Sequence, residues 1–317
     1  MTDQDDSASV GVTAMDRRAV LGAALAAAAL PLGIASRALA AGPSLTVSEL
    51  PGGLSLISGA GGAVVVARGP DGAVMVDCGQ AEHAEALLAL VSQKTGSKKV
   101  ATLFNTCWRL EQTGGNDILA AQGARVVAHE NTRLWMGTEI DSHWENKLYP
   151  PRAPAARPTK TFYTTDSMPL GSDRIDYGYL LQAHTDGDMY VFFRKANVLV
   201  VGAAVAGRGW PIIDIATAGW LGGHVRGLET LIKVADDKTT IVTADGVSLT
   251  KVDLQKQYDM YKAIMTKLQT MLESGYGMAD VLKGAPAAAS TTPEAIMART
   301  EPIRGGTRRM LTQIALN

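Results

Sequence analysis

The chain has 317 residues, 46% of them apolar, and 30 basic against 31 acidic side chains, a formal net charge of −1. Such a length and apolar share suit one large domain with a substantial core. The missing basic field argues against a nucleic-acid partner.

In chain order, residues 1–40 are expected to be a targeting segment. Asp16-Arg17-Arg18-Ala19-Val20-Leu21 resembles a twin-arginine export motif, followed by an Ala/Leu-rich run to Ile34 and a small-residue site at Ala38-Leu39-Ala40. The run, about 17 residues, is short for a membrane span, and Pro31 and Gly33 interrupt it. Cleavage after Ala40, no stable membrane insertion and a periplasmic or secreted location are the expectations.

Strand-like runs and Gly turns alternate from Leu45 to Val76, with a hairpin signal at Gly69-Pro70-Asp71-Gly72. A helix is predicted at about 81–94, from Ala84, Leu87, Leu88, Leu90 and Val91. Val100–Asn105 reads as a buried strand, Gly115–Gln122 as a helix and Arg125–Ala128 as a strand. Pro150, Pro151, Pro154 and Pro158 mark residues 137–158 as a loop or lid. Strands are predicted at about 159–163, 174–181, 189–194, 198–202 and 240–243, and a helix at Leu221–Ala235. A helix over 251–274 carries Leu254, Tyr258, Tyr261, Met265, Leu268 and Leu272 at spacings of four and three, a core-facing stripe. The domain is expected over 41–274, with a tail rich in Ala, Thr, Pro and Gly over 275–317. This order fits two sheets packed face to face with helices outside, an α/β protein built as an αββα four-layer sandwich.

Residues 105–116 read Asn-Thr-Cys-Trp-Arg-Leu-Glu-Gln-Thr-Gly-Gly-Asn. Val74–Gly79 is an apolar strand running into Asp77-Cys78-Gly79, and Ala128–Arg133 follows the loop. Ala183–Asp188 reads Ala-His-Thr-Asp-Gly-Asp. Val198–Ala203 ends in Gly202-Ala203, Pro211–Asp214 reads Pro-Ile-Ile-Asp, and Thr243–Val247 reads Thr-Ala-Asp-Gly-Val. Together these motifs, in this order, resemble the metallo-β-lactamase superfamily, whose metal loop is written Asn-Thr-His-x-His-x-Asp-His-Thr-Gly-Gly-Asn. The resemblance implies the αββα architecture, with a site built from loops at one edge. The frame persists in Asn105, Thr106, Trp108, Thr113, Gly114, Gly115 and Asn116, while the ligand positions hold Cys107, Arg109, Glu111 and Gln112. His184 keeps the family identity, Ala203 stands where the bridging carboxylate belongs, and Asp245 falls on the last ligand position.

An arginine offers a metal no lone pair and keeps its charge, and Gln112 offers only a neutral carbonyl. A metal-free protein is therefore expected. The alternative is one zinc ion held by Cys107, Glu111, His184 and Asp245. Without a metal, Arg109 could act as electrophile with His184 or Glu111 as base, or form an internal salt bridge with Glu111 and Asp245. Asp77 is expected to brace the ligand loop, and Asp186 and Asp188 resemble frame residues. His83, His129, His143 and His224 match no ligand position and read as surface or packing residues. Trp108, Gln112, Trp144, Trp210 and Trp220 are expected to line a pocket for a small anionic or aromatic ligand, or to plug it. Cys78 and Cys107 are read as a disulfide, as a reactive or metal-binding Cys107, or as two buried thiols.

Three functional readings follow. One is an exported, degenerate superfamily member that binds a small molecule. Another is a non-standard hydrolase or lyase acting on an ester, lactone or similar substrate. The last is an accessory protein of an exported complex, with 137–158 and the tail as contact surfaces.

Overall fold

The computed structural model describes residues 44–277. The expected export segment and all but the start of the expected tail lie outside the described residues.

One sheet has seven strands: β1 (Thr46–Leu50), β2 (Leu54–Ser58), β3 (Val64–Gly69), β4 (Gly72–Val76), β5 (Val100–Phe104), β6 (Arg125–His129) and β9 (Lys160–Phe162), side by side in that order. The first four pair antiparallel, and β4, β5, β6 and β9 run parallel. The second sheet places β10 (Thr165–Leu170), β11 (Asp173–Tyr179), β12 (Met189–Phe193), β13 (Val198–Gly202), β14 (Thr240–Thr243) and β15 (Ser248–Leu249) in sequence order. Only its β13–β14 pair is parallel.

Period-two alternation builds the layers. Val65 and Ala67 of β3 join Met189, Val191 and Phe193 of β12 and Val198 and Val200 of β13 in the core between the sheets. Their neighbours Val64 and Val66 face outward onto helix α1 (Ala84–Thr95), through Leu87 and Val91. On the other side Tyr190, Phe192, Leu199 and Val201 meet α5 (Leu221–Val234) and α6 (Lys251–Glu273), through Leu228, Leu231, Leu254 and Tyr261. The four layers are those expected. The stripe on α6 packs as its spacing requires: Leu254, Tyr261 and Leu268 are buried, and Tyr258 and Met265 are partly so. Thr250 and Asp253 close a capping box at its start.

Three short helices lie between: α2 (Leu110–Thr113), α3 (Asn116–Ala121) and α4 (Glu130–Trp135). The proline-marked segment is more ordered than the loop its composition suggests. It forms a hairpin, β7 (Ile140–Ser142) with β8 (Lys147–Tyr149), before a single 3-10 turn at Pro154–Ala156. Strand β10 escapes pattern reading because it is polar and contains Pro169; it pairs with β11 alone, as an edge strand can.

Parallel pairing sends the C-terminal ends of β4, β5 and β6 to one edge, and those of β13 and β14 lie there too. Hydrogen bonds tie the sheets together at that edge: Ala63 N–H donates to Ala244 O (2.8 Å) and Met189 N–H to Thr106 O (2.9 Å). Gly202 must be glycine there. Its φ is +55°, and a Cβ would strike Thr106 Oγ1.

Candidate functional site

The loop after β5 is built by its frame. Asn105 and Asn116 exchange hydrogen bonds (Nδ2 to Oδ1, 2.8 and 3.1 Å), and Asn105 Nδ2 also donates to Gln112 O (3.0 Å). Asn116 Nδ2 donates to Ala156 O, 2.8 Å away. Asp77, in the left-handed region at φ +61°, accepts from Thr106 N–H and Oγ1–H, both at 2.8 Å. Asp77 therefore braces the loop. Asp188 does the same for the β11–β12 loop, accepting from Thr185 N–H and Oγ1–H.

Burial makes both carboxyls hard to ionise. Asp77 is pushed up to about 8 by burial, against the Thr106 hydrogen bonds, and Asp188 to about 6 for the same reason. His224, fully buried near His184, is pushed down to about 3 by burial. A raised carboxyl pKa means that the folded state holds the proton more tightly, so its stabilisation is lost as pH rises towards the folded value. His224 acts oppositely: its contribution is complete above about 6.5 and is lost as pH falls towards 3. From pH 6.5 to 8 only the Asp77 effect is still changing, so urea denaturation should show stability falling by about 2 kcal/mol over that interval. A flat profile there would show that Asp77 keeps its charge in the fold.

Arg109 precedes α2 and is 7% exposed. Its Nη2 lies 2.5 Å from Glu145 Oε1 and its Nη1 3.2 Å from Glu145 Oε2, a forked pair. Nε is 3.5 Å from Glu111 Oε2, and Nη1 is 3.6 Å from Asp214 Oδ2. The guanidinium carbon lies 5.4 Å from the Trp108 ring, 5.4 Å from Trp144 and 5.9 Å from Tyr149. Burial disfavours the charge, but the Glu145 hydrogen bond and the Glu111 and Glu145 charges outweigh it and raise the pKa. Burial raises Glu145 too, yet hydrogen bonds from Arg109 and Ser142 leave it below its usual range. The salt bridge expected of Arg109 exists with Glu111 as expected, but Glu145 from the β7–β8 turn leads and Asp214 joins, while Asp245 is bound to Thr243 and lies 3.7 Å from Arg208.

A cleft of about 310 Å³ opens at the edge, lined by Arg109, Glu111, Gln112, His184, Ala203, Trp210, Ile212 and Asp245 among others. Of the residues singled out in the sequence, Gln112, His184, Trp210, Glu111 and Asp245 are brought together around this one space. The other tryptophans go elsewhere. Trp108 is buried against Tyr149, Met136 and Ile140, with Nε1–H donating to Thr217 Oγ1 (3.1 Å), so it fills space beneath Arg109. Trp144 packs on Arg109, and Trp220 lines a separate groove between α5 and α6. Among the other histidines, His129 is buried and stacked on Tyr179 at 3.7 Å, His224 is buried against Tyr261, and His143 is exposed. Two charged groups of the site, Glu145 and Asp214, carried no ligand motif; the Asp of Pro-Ile-Ile-Asp was the one signal for Asp214.

The cysteines are free and buried, not a disulfide. Cys78 Sγ–H donates to Gln112 O and Asn116 Oδ1, both at 3.2 Å. Cys107 Sγ–H faces Gln112 Oε1 at 3.5 Å, and burial, with Asp188 and Asp77 nearby, holds its pKa well above the ordinary thiol value. Glu111, His184 and Asp245 share the cleft. Among the described residues, however, no three His, Cys, Asp or Glu side chains form a group that could hold a metal ion. With a guanidinium inside the ligand loop and a methyl group at Ala203, this donor set does not fit the zinc site that the superfamily usually carries.

Among known proteins, the model for the metallo-beta-lactamase superfamily matches residues 58–243. A metallo-beta-lactamase from Pontibacter korlensis is similar in structure, with a TM-score of 0.55 at 17% identity, over 69% of this chain and 99% of that one. DIM-1 metallo-beta-lactamase gives 0.55 at 14%, over 69% and 98%. A double mutant of the sec-alkyl sulfatase PisA1 gives 0.62 at 13%, over 84% of this chain and 52% of the sulfatase. No curated protein matches the chain in sequence. The four-layer fold, the motif order and the family match agree: the chain belongs to the metallo-β-lactamase superfamily.

Proposed function

We propose that this protein is a metal-independent member of the superfamily that binds a small molecule in the edge cleft, after export by the twin-arginine route. The observation that carries the metal-independent reading is Arg109. A permanent cation stands at a family ligand position, pinned by Glu145, Glu111 and Asp214 and packed among three aromatic rings. It supplies internally the positive charge that the loop's carboxylates need. The fork to Glu145 occupies both Nη atoms of Arg109, which weighs against the electrophile role. A cleft of about 310 Å³ with polar and apolar walls remains open beside it, at the lower end of small-molecule sites. Export is supported by Arg17-Arg18 and the apolar run behind them.

Zinc titration tests the metal-independent half. A true zinc site held at 1,000 times its Kd stabilises the fold by about 4 kcal/mol, which in a domain of this size raises Tm by roughly 10 °C. The mature protein should show no such rise with zinc and no fall with a chelator. Stoichiometric zinc in elemental mass spectrometry of the natively exported protein would overturn the proposal.

A further inference from the structure

The apolar stripe on α6 has two rows, and the packing described so far uses one of them. Leu254, Tyr261 and Leu268 are buried, whereas Tyr258, Met265 and Leu272 are only partly covered. Residues seven apart share a helix face, so each row forms one line along α6. With Trp220, Leu221 and Val225 at the start of α5, the second row lines a groove of about 630 Å³ on the outer face of the domain. Arg226 and Lys262 stand on its rim with Glu229 and Glu273. An apolar strip inside a charged rim marks a face that something covers.

The chain itself leaves α6 at this groove. Leu272 and Glu273 line it, and the helix stops beside them in a glycine cap. Gly275 is left-handed at φ +81°, its N–H donates to Leu272 O (3.0 Å), and Tyr276 N–H donates to Met271 O (3.1 Å). The described chain ends at Gly277, and the next residues read Met278-Ala279-Asp280-Val281-Leu282-Lys283. Val281 and Leu282 lie three and four positions after Met278, the spacing of one apolar helix face. Asp280 and Lys283 bring one charge of each sign to a rim that carries both. Five residues beyond Gly277 span up to about 17 Å, and Met265 lies about 10 Å along α6 from Leu272, so Leu282 reaches the middle of the groove. So short a tether gives this segment a higher local concentration than any later part of the tail.

We infer that Met278, Val281 and Leu282 dock in the α5–α6 groove of their own chain, against Trp220, Met265 and Leu272. The domain then continues through Leu282, beyond the boundary expected at residue 274. The start of the tail belongs to the fold and is not free as a contact surface for another protein. This docking is independent of the edge cleft and of what the cleft binds.

A bimane fluorophore on Lys283→Cys in the full chain tests it, because tryptophan quenches bimane only near contact. Cys78 and Cys107 are buried and stay unlabelled in the folded protein. Trp220→Phe should raise the bimane emission to the level of the urea-unfolded chain. Val281→Asp with Leu282→Asp, which leaves residues 44–277 untouched, should give the same rise and lower the Tm by about 5 °C. Circular dichroism should show both variants folded. Emission that ignores either change overturns the inference. Quenching that fades on dilution, or that appears when the labelled Trp220→Phe chain is mixed with unlabelled chain, puts the segment of one copy in the groove of another. That outcome overturns docking within one chain.

Discussion

Arg109→Ala should destabilise the protein by about 3–5 kcal/mol, the usual cost of removing one partner from a buried ionic network. The variant leaves Glu145, Glu111 and Asp214 facing one another around an empty guanidinium site. Asp214 suffers most, since it is fully buried and neither carboxylate oxygen has a hydrogen-bond partner in the fold. The Tm should fall by roughly 10 °C, seen by calorimetry or circular dichroism. Arg109→Lys should lie between, because a point charge cannot reproduce the fork to Glu145. Pairing Arg109→Met with Glu145→Leu should recover part of the loss, since an apolar pair removes the stranded Glu145 charge. A loss below about 1 kcal/mol for Arg109→Ala would mean that the guanidinium is not structurally engaged, and would reopen a substrate-facing role.

Asn116→Ala is expected to cost about 3 kcal/mol. Asn116 is fully buried and makes four hydrogen bonds, with Asn105 in both directions, with Ala156 O and with Cys78 Sγ. Truncation strands Asn105 Oδ1 and Ala156 O in the interior, and each orphan carries its own desolvation penalty. Urea denaturation would measure the loss, and one below about 1 kcal/mol would show that the loop closes without this pair. The prediction explains an oddity of the sequence. The Asn-Thr…Thr-Gly-Gly-Asn frame stands around replaced ligands because its residues fold the loop whether or not a metal is held. Gly114 and Gly115 belong to the same account, since a Cβ on either would press on the backbone around Cys78 and Gln80.

How far the site could be read ahead of the fold differs between residues. Asp77 was legible as a brace, and Asn105 and Asn116 as frame residues, because their partners lie in the motifs that identify the loop. Glu145 was not. It lies 36 residues beyond Arg109 in a proline-flanked segment without apolar periodicity, and a two-strand hairpin of three-residue strands leaves little alternation to detect. Asp245 was assigned to Arg109 from motif position, yet the turn after β14 directs it to Thr243 and towards Arg208. The tryptophans show the same limit. The four singled out in the sequence sit outside the strands and helices, but Trp108 went under Arg109, Trp144 onto it, Trp220 beside α6 and only Trp210 into the cleft.

The amino-acid sequence by itself determined the layers, because the two-residue alternation of strands such as Val64–Ala67 and the four-three spacing on α6 are local patterns that admit one buried face each. It also determined that a guanidinium and a thiol would stand in a loop written for imidazoles and carboxylates, and a methyl group at the position of the bridging carboxylate. Only the tertiary structure decided which charges meet. Coulomb attraction and hydrogen bonding fall off over a few ångströms and depend on burial, so the choice of Glu145 over Asp245 for Arg109, and the unpaired Nε2 of His184, exist only once two sheet edges and a hairpin converge.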